Sequence, residues 1–260
     1  MKLSYAFEPR ETETVRRAVA DKVQSGRRAV GHRLEHNVTG PVPEIDDDTL
    51  WMTLMMCLLT TQQRSGPGSA LTQFLDREPF PLSLSACRDR VTTEEQVVRV
   101  LTEARGLRRT NKIARAVIAN LGMLERGEWD TLRHWRDRLA VQRAAPPDLQ
   151  HRALEESAAN YVDRFAEIGT KQARNFWQSL GLTRYVFVLD SRVLKWLRTN
   201  LEMERGLLAP ESLSNVDAYS FLSDILLDLC VQADVLPCML DIAIFDSYDE
   251  DSEWAGRVLY

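Results

Sequence analysis

Two side chains near the middle of the chain have the chemistry of a nucleophile and of a charge-stabilising partner: Lys171 and Asp190, nineteen positions apart. A neutral lysine amine attacks electrophilic carbon and forms a Schiff base. A carboxylate beside the reacting centre stabilises the positive charge that develops there. The pair therefore suits attack on a carbon that gains cationic character, if the fold brings the two groups together.

The residues after Gly169 predict a helix that carries Lys171 in its first turn. One face is apolar at the spacing i, i+3, i+4 and i+7, and it consists of Ala173, Phe176, Trp177 and Leu180. The opposite face is polar and consists of Lys171, Arg174, Asn175 and Gln178. Gly181 is the expected end of this helix. Because a helix N-terminus carries partial positive charge, it disfavours an ammonium and makes the neutral amine easier to reach.

Asp190 lies at the boundary between an apolar run, Tyr185 to Leu189, and a helical pattern that continues with Val193 and Leu197. As the N-cap of that helix, its carboxylate would be kept ionised by backbone amides. The apolar run has the length of a β-strand, but no other segment is an obvious partner for it. Each of the two residues alone also has an ordinary explanation, a solvated lysine and a plain helix cap. We favour catalysis because both occur together.

The stretch from Phe165 to Val193 resembles the catalytic core of the helix-hairpin-helix DNA glycosylases. The triplet Gly169-Thr170-Lys171 and its separation from Asp190 are most similar to the 8-oxoguanine DNA glycosylase branch. The resemblance implies excision of a damaged or modified purine from double-stranded DNA, with 8-oxoguanine as the leading candidate. It also implies AP lyase activity through a lysine Schiff base, with no metal or organic cofactor.

Two other functions remain open. In the first, the fold is kept but Asp190 activates a water as the nucleophile, while Lys171 only binds DNA. In the second, the chain is a catalytically silent helix-hairpin-helix DNA-binding protein. Glu167 is the feature that most favours the second alternative, because it stands where relatives have a glycine. The proline that precedes this position in relatives is also absent, with Ala166 in its place. A carboxylate beside a phosphate is unfavourable, and a side chain restricts the turn.

The resemblance implies further contacts outside the Lys171 and Asp190 pair. Relatives fill the hole left by an extruded base with a polar residue, for which Gln62 is our first choice and Gln63 the alternative. The other implied DNA contacts are Gly169, Thr170, Arg174, Arg109 and Lys112. In a C-terminal helix, Asp241 and Phe245 would supply a hydrogen bond and a stacking face to the flipped base. Aromatic residues at this spacing are more often part of a core.

Helical periodicity dominates the chain and predicts an all-α fold. A long amphipathic helix is expected from Thr12 to Asn37, with its valines inward. Asp48 or Thr49 is expected to cap an apolar helix that runs to Leu59. The remaining expected helices are Glu94 to Ala104, capped by Thr92 or Thr93, and Thr110 to Leu124, Asp148 to Arg164, Val216 to Val231 and Leu236 to Phe245.

The resemblance implies a single two-lobed unit over residues 1–260. One lobe would comprise about 1–63 and 183–260. The other would comprise about 64–182 and would end in the helix-hairpin-helix at 150–181. Lys171 and Asp190 would then face each other across the cleft between the lobes.

Composition fits a cytosolic protein, nucleoid-associated if the source is prokaryotic, and we expect a monomer. The 260 residues are 44% hydrophobic, which is enough for a substantial core. The most apolar stretch, Trp51 to Leu59, is too short to cross a membrane, and Glu8 to Arg17 lacks the apolar segment of a signal peptide. The four cysteines are expected to be reduced. His32 and His36 lack a third metal ligand, so a solvated helix face is the favoured interpretation.

The charge distribution is compatible with one DNA-facing side, although the net charge is -5. Residues 99–138 contain ten Lys or Arg against five Asp or Glu, and residues 164–198 contain seven against two. Each segment is therefore +5. Acidic residues concentrate elsewhere, notably at 44–48 and 241–253. Since phosphate contacts are local, this asymmetry permits nucleic-acid binding.

Overall fold

The structure, a computed structural model, describes residues 6–63, 68–89, 92–201, 203 and 208–248. Its α-helices, in chain order, are α1 Pro9–Gln24, α2 Arg28–Arg33, α3 Asp47–Thr60, α4 Ala70–Leu75, α5 Leu84–Arg88, α6 Glu94–Glu103, α7 Thr110–Met123, α8 Trp129–Ala144, α9 His151–Val162, α10 Thr170–Ser179, α11 Ser191–Asn200, α12 Val216–Ala233 and α13 Pro237–Asp246. The described residues contain no β-strand, which confirms the all-α prediction. No helix among them is long and apolar enough to cross a bilayer.

The long N-terminal helix predicted from Thr12 to Asn37 is wrong. The chain breaks at Gly26, where φ is +65°, and then continues through α2 into a π-helical turn. Val15 and Val30 are fully buried, whereas Val23 is 40% exposed. The break lets α1 pack against α12 and α13, while α2 packs mainly against α13 and the π-helical turn that follows it. Periodicity within the segment cannot reveal this change of direction.

Two predicted helix starts have different outcomes. The cap of α3 is Asp46, whose side chain accepts a hydrogen bond from the Thr49 amide at 2.8 Å, so the choice of Asp48 or Thr49 was wrong. Several acidic residues precede this helix, and the sequence alone does not distinguish which of them caps it. Thr93 caps α6 as predicted, and Gln96 completes a reciprocal capping box.

Helices α9 and α10 pack against each other and are joined by residues 163–169. The helix predicted from Asp148 to Arg164 is therefore present as α9, shorter at both ends. Helix α10 ends at Ser179, and Gly181, the residue after its C-cap Leu180, has a φ of +74°. A Cβ there would lie 2.8 Å from the His36 backbone oxygen and 2.8 Å from its Nε2. Only glycine fits this end of the helix.

Buried apolar side chains form one large cluster and two smaller ones. The large cluster combines residues from Ile45 to Leu182, including the inner faces of α3, α7 and α10. The second joins α1, α11, α12 and α13, and the third packs α2 against α13. Helix α3, which we assigned to the lobe of the chain ends, contributes to the large cluster. The division into two lobes stays a prediction.

Candidate active site

The structure brings Lys171 and Asp190 together. Gly169 is the N-cap of α10, which places Lys171 in the first turn of that helix. Its Nζ lies 3.4 Å from Oδ2 of Asp190. The lysine side chain is 36% exposed and that of the aspartate 16% exposed. The pair is therefore reachable from solvent on the amine side and enclosed on the carboxylate side.

Asp190 caps α11, as predicted, and its two carboxylate oxygens have different hydrogen-bond partners. Oδ1 accepts hydrogen bonds from the backbone amides of Arg192 at 2.8 Å and Val193 at 3.2 Å. Oδ2 faces Lys171 and also accepts from Nε and Nη2 of Arg192, at 3.0 and 2.8 Å. Burial raises the pKa of Asp190, but the charges of Lys171 and Arg192 and these hydrogen bonds bring that pKa below its ordinary value. The group is a carboxylate at neutral pH.

The segment that carries Asp190 is held by a buried acid on α9. Glu155 is 1% exposed, and its carboxylate accepts three backbone hydrogen bonds from Arg184, Tyr185 and Val186, at 3.0, 2.7 and 3.1 Å. Burial raises the pKa of Glu155 to about 7, against the lowering effect of these amides. Sequence reasoning missed Glu155, although it occupies the first position of an i, i+3, i+4, i+7 stripe that is otherwise buried and apolar.

A tyrosine on α12 holds the other end of the same segment. The hydroxyl of Tyr219 accepts from the Leu189 amide and donates to the Phe187 carbonyl, both at 2.9 Å. The apolar run from Tyr185 to Leu189 is therefore satisfied by side chains rather than by a partner strand. No pattern in the sequence indicated this contact, because Tyr219 lies 30 positions away.

Replacing Glu155 with alanine is expected to lower the free energy of unfolding by about 3 kcal/mol, because three enclosed amides lose their acceptor. Chemical denaturation followed by circular dichroism measures the change. Glu103→Ala, on an exposed position of α6, is the matched control and is expected to stay within about 0.5 kcal/mol of the unmodified chain. Equal stabilities of the two variants would contradict the role of Glu155.

A polar contact joins the first turn of α10 to the last turn of α3. The side-chain amide of Gln172 donates to the hydroxyls of Thr60 and Thr61, at 3.2 and 3.1 Å. Thr61 is followed by Gln62 and Gln63, the two glutamines predicted to replace the extruded base. Gln63 donates to the Leu59 carbonyl at 2.6 Å and accepts from the Arg108 amide at 2.8 Å. Gln62 is exposed and has a φ of +57°.

The other predicted DNA contacts differ in exposure. Gly169 and Lys112 are exposed, and Thr170 is partly exposed. Arg109 pairs with Glu167. Arg174 is only 2% exposed; it pairs with Glu156 and its guanidinium lies 4.8 Å from the Tyr219 ring centroid. A side chain enclosed in this way has no free face for a phosphate, so our proposal leaves Arg174 out.

The two predicted base-pocket residues lie near the Lys171 and Asp190 pair. Burial raises the pKa of Asp241 to about 7; Arg33, Lys171 and Arg192 oppose the shift, and the charge of Asp190 adds to it. The ring of Phe245 is covered by the Arg192 guanidinium, 3.9 Å from its centroid. Arg192 thus contacts both the Asp190 carboxylate and the Phe245 ring. Sequence reasoning missed Arg192, whose only signal is its position two residues after a helix cap.

The interpretation of His32 and His36 as a solvated face is wrong. Both rings are partly buried, they stack with centroids 5.1 Å apart, and Nε2 of His36 lies 3.1 Å from the Ser179 carbonyl oxygen. Burial lowers the pKa of both imidazoles. Within the described residues no group of three or more His, Cys, Asp or Glu side chains is arranged to hold a metal. The four cysteines are free and buried.

The chain has an all-α fold that is similar to the fold of solved helical DNA glycosylases. Three solved structures carry that likeness. The 8-oxoguanine DNA glycosylase of Methanocaldococcus jannaschii matches at 13% identity with a TM-score of 0.60, over 90% of this chain and 91% of that one. The glycosylase/lyase of the same organism, in complex with a 15mer DNA containing 8-oxoguanine, matches at 14% identity with a TM-score of 0.64, over 90% and 96%.

The third is Tm1821, the 8-oxoguanine DNA glycosylase of Thermotoga maritima, at 16% identity with a TM-score of 0.57, over 91% of this chain and 97% of that one. By sequence, no protein-family model and no curated protein matches the chain. The likeness therefore establishes the fold, and the chemistry has to be argued from the residues themselves.

Proposed function

We propose that the chain is a base-excision DNA glycosylase with AP lyase activity, acting on an oxidised or otherwise modified purine, with 8-oxoguanine as the leading candidate. The observation that carries the proposal is the 3.4 Å approach of the Lys171 amine to the Asp190 carboxylate. This approach occurs at a helix N-terminus, within a fold shared with enzymes described as acting on that base.

The proposed reaction takes place on a nucleotide that has left the base stack, since its C1′ carbon is inaccessible inside a duplex. The bond from C1′ to the base breaks, and C1′ gains positive charge that the ionised Asp190 stabilises. Lys171 gives one proton to the departing base, and its amine forms the new bond to C1′. A second proton then moves from that nitrogen to O4′ as the sugar ring opens, which leaves a protonated Schiff base. Loss of a C2′ proton to solvent, with the Schiff base as the electron sink, then expels the 3′ phosphate and cuts the strand.

The surrounding residues receive proposed roles in binding double-stranded DNA. Gln62 would fill the hole left by the extruded base, because it is exposed. In Gln63, by contrast, the side-chain amide nitrogen and oxygen are both hydrogen-bonded within the protein. Lys112, Gly169 and Thr170 would contact phosphates, and Arg109 would join them after losing its present partner. The complex with DNA determined for one structural neighbour supports this class of partner.

Asp241 and Phe245 would line the base pocket. A carboxyl group with a pKa raised to about 7 can offer either an acceptor or a donor to a base edge near neutral pH. Stacking on Phe245 requires the Arg192 guanidinium to leave the ring. In this arrangement the two lobes are proposed to meet at the Lys171 and Asp190 pair.

Borohydride trapping on duplexes that carry different lesions tests the proposal. A covalent adduct with one modified purine, together with release of that base, is the expected result, and unmodified duplex gives neither. Base release without an adduct would instead support water as the nucleophile. Binding of every duplex with no reaction would support a silent DNA-binding protein. Absence of both binding and reaction across the panel would exclude all three functions.

A further inference from the structure

The hairpin between α9 and α10 contains a residue in an unexpected conformation. Glu167 has a φ of +60°, a region that glycine adopts freely and that other residues adopt with strain. It precedes the buried Ile168 and the helix cap Gly169. Neighbouring contacts must hold such a conformation, and one of them is an ion pair with a charged partner.

That partner is Arg109, which also has a left-handed φ of +60° at the start of α7. Nη2 of Arg109 donates to Oε2 of Glu167, in an ion pair between side chains 58 positions apart in sequence. The Arg109 side chain is 19% exposed and that of Glu167 is 36% exposed. The pair therefore lies at the surface, where solvent and a ligand can reach it.

The ion pair is not the only contact that positions the hairpin. The side chain of Asn120, on α7, donates to the Ala166 carbonyl at 3.1 Å and accepts from the Ala166 amide at 2.7 Å. These two hydrogen bonds fix the backbone one residue before Glu167, and Asn120 is only 1% exposed. Because a buried neutral contact already anchors the turn to α7, the charged contact beside it is available for another function.

The local charge indicates what that function is. Residues 164–198 carry only two acidic side chains, Glu167 and Asp190, against seven basic ones. Asp190 belongs to the active-site pair, so Glu167 is the one remaining anion of this segment. It pairs with Arg109, which is three residues before the exposed Lys112, and it lies three residues before the start of α10. A carboxylate and a phosphodiester are both anions that accept hydrogen bonds from a guanidinium.

We propose that Glu167 is an internal competitor for a DNA phosphate: its carboxylate occupies Arg109 in the free protein, and a bound duplex exchanges it for a phosphodiester. The inference rests on the proposed function and adds to it a means by which the protein limits its affinity for the DNA phosphate backbone. In this mechanism Arg109 contributes little net affinity while Glu167 is present. The carboxylate thus weakens binding to every duplex, including undamaged DNA, in proportion to the strength of the internal pair.

Fluorescence anisotropy with a labelled undamaged duplex tests the exchange at several salt concentrations. Glu167→Gln keeps the size of the side chain, and Glu167→Gly relieves the left-handed strain. Both are expected to bind about tenfold more tightly than the unmodified protein at low salt, and their logarithmic salt dependence is expected to be steeper by about one phosphate contact. Asp217→Asn, an exposed position on α12, removes the same charge elsewhere and serves as the control.

Arg109→Gln completes the test as a double-mutant cycle. The change is expected to weaken binding about tenfold in the Glu167→Gln background and less than about twofold in the unmodified protein. Equal effects in the two backgrounds, or equal gains for Glu167→Gln and Asp217→Asn, would overturn the exchange. In those cases the unmodified protein still binds DNA, so the result is distinct from failure of the proposed function, in which no variant binds any duplex and no adduct forms.

Discussion

Lys171→Gln is expected to abolish the borohydride adduct and to lower base release at least about 1,000-fold, since it removes the attacking amine. Glutamine keeps a polar side chain of similar reach at a partly exposed position, so α10 is expected to fold unchanged. Single-turnover kinetics on the lesion identified by trapping measure the loss. The same variant is expected to form no adduct with a preformed abasic site, because that reaction also requires the amine.

Lys195→Gln is the matched control. Lys195 is exposed on α11, its Nζ lies 4.7 Å from the Tyr248 ring centroid, and it has no role in the proposed reaction. It is expected to keep the adduct and the rate of base release within about twofold, as for an ordinary surface change. Base release that persists in Lys171→Gln would identify water as the nucleophile and would reassign the lysine to DNA binding.

The parts of the site that the sequence predicts are those set by local structure. Lys171 lies in a first helical turn because the apolar stripe of α10 and the glycine at its end determine where that helix runs. Asp190 is a cap because an apolar run stops and a helical pattern starts there. Neither inference needs knowledge of a distant residue. The all-α fold follows from the same kind of periodicity.

The parts of the site that the sequence does not predict are contacts between side chains that are far apart in the sequence. Tyr219 satisfies the segment before Asp190 from another helix, and Arg109 meets Glu167 only after folding. Gln172 follows the proposed nucleophile directly, yet its two hydroxyl partners lie more than 100 positions earlier. Helix periodicity carries no information on such pairings. The N-terminal break at Gly26 belongs to the same class, because the packing of α1 and α2 decides it.

Asp190→Asn is expected to lower base release by about 100- to 1,000-fold while the protein stays folded. Asparagine caps a helix about as well as aspartate, so the hydrogen bonds from the Arg192 and Val193 amides are kept. What is lost is the negative charge 3.4 Å from the Lys171 amine. Adduct formation with a preformed abasic site is expected to be affected far less, because no base departs and no oxocarbenium ion has to form at C1′ in that reaction.

The contrast between the two substrates separates a catalytic from a structural role. Asp190→Ala loses the cap as well as the charge, so it is expected to destabilise the fold by about 1 kcal/mol more than Asp190→Asn. If the aspartate acts only as a cap, Asp190→Asn is nearly as active as the unmodified protein and Asp190→Ala alone is impaired. If it acts through its charge, both variants lose base release to a similar extent, whatever their stabilities. Equal loss on the intact lesion and on the abasic site would contradict the charge-stabilising role, because the second reaction contains no departing base.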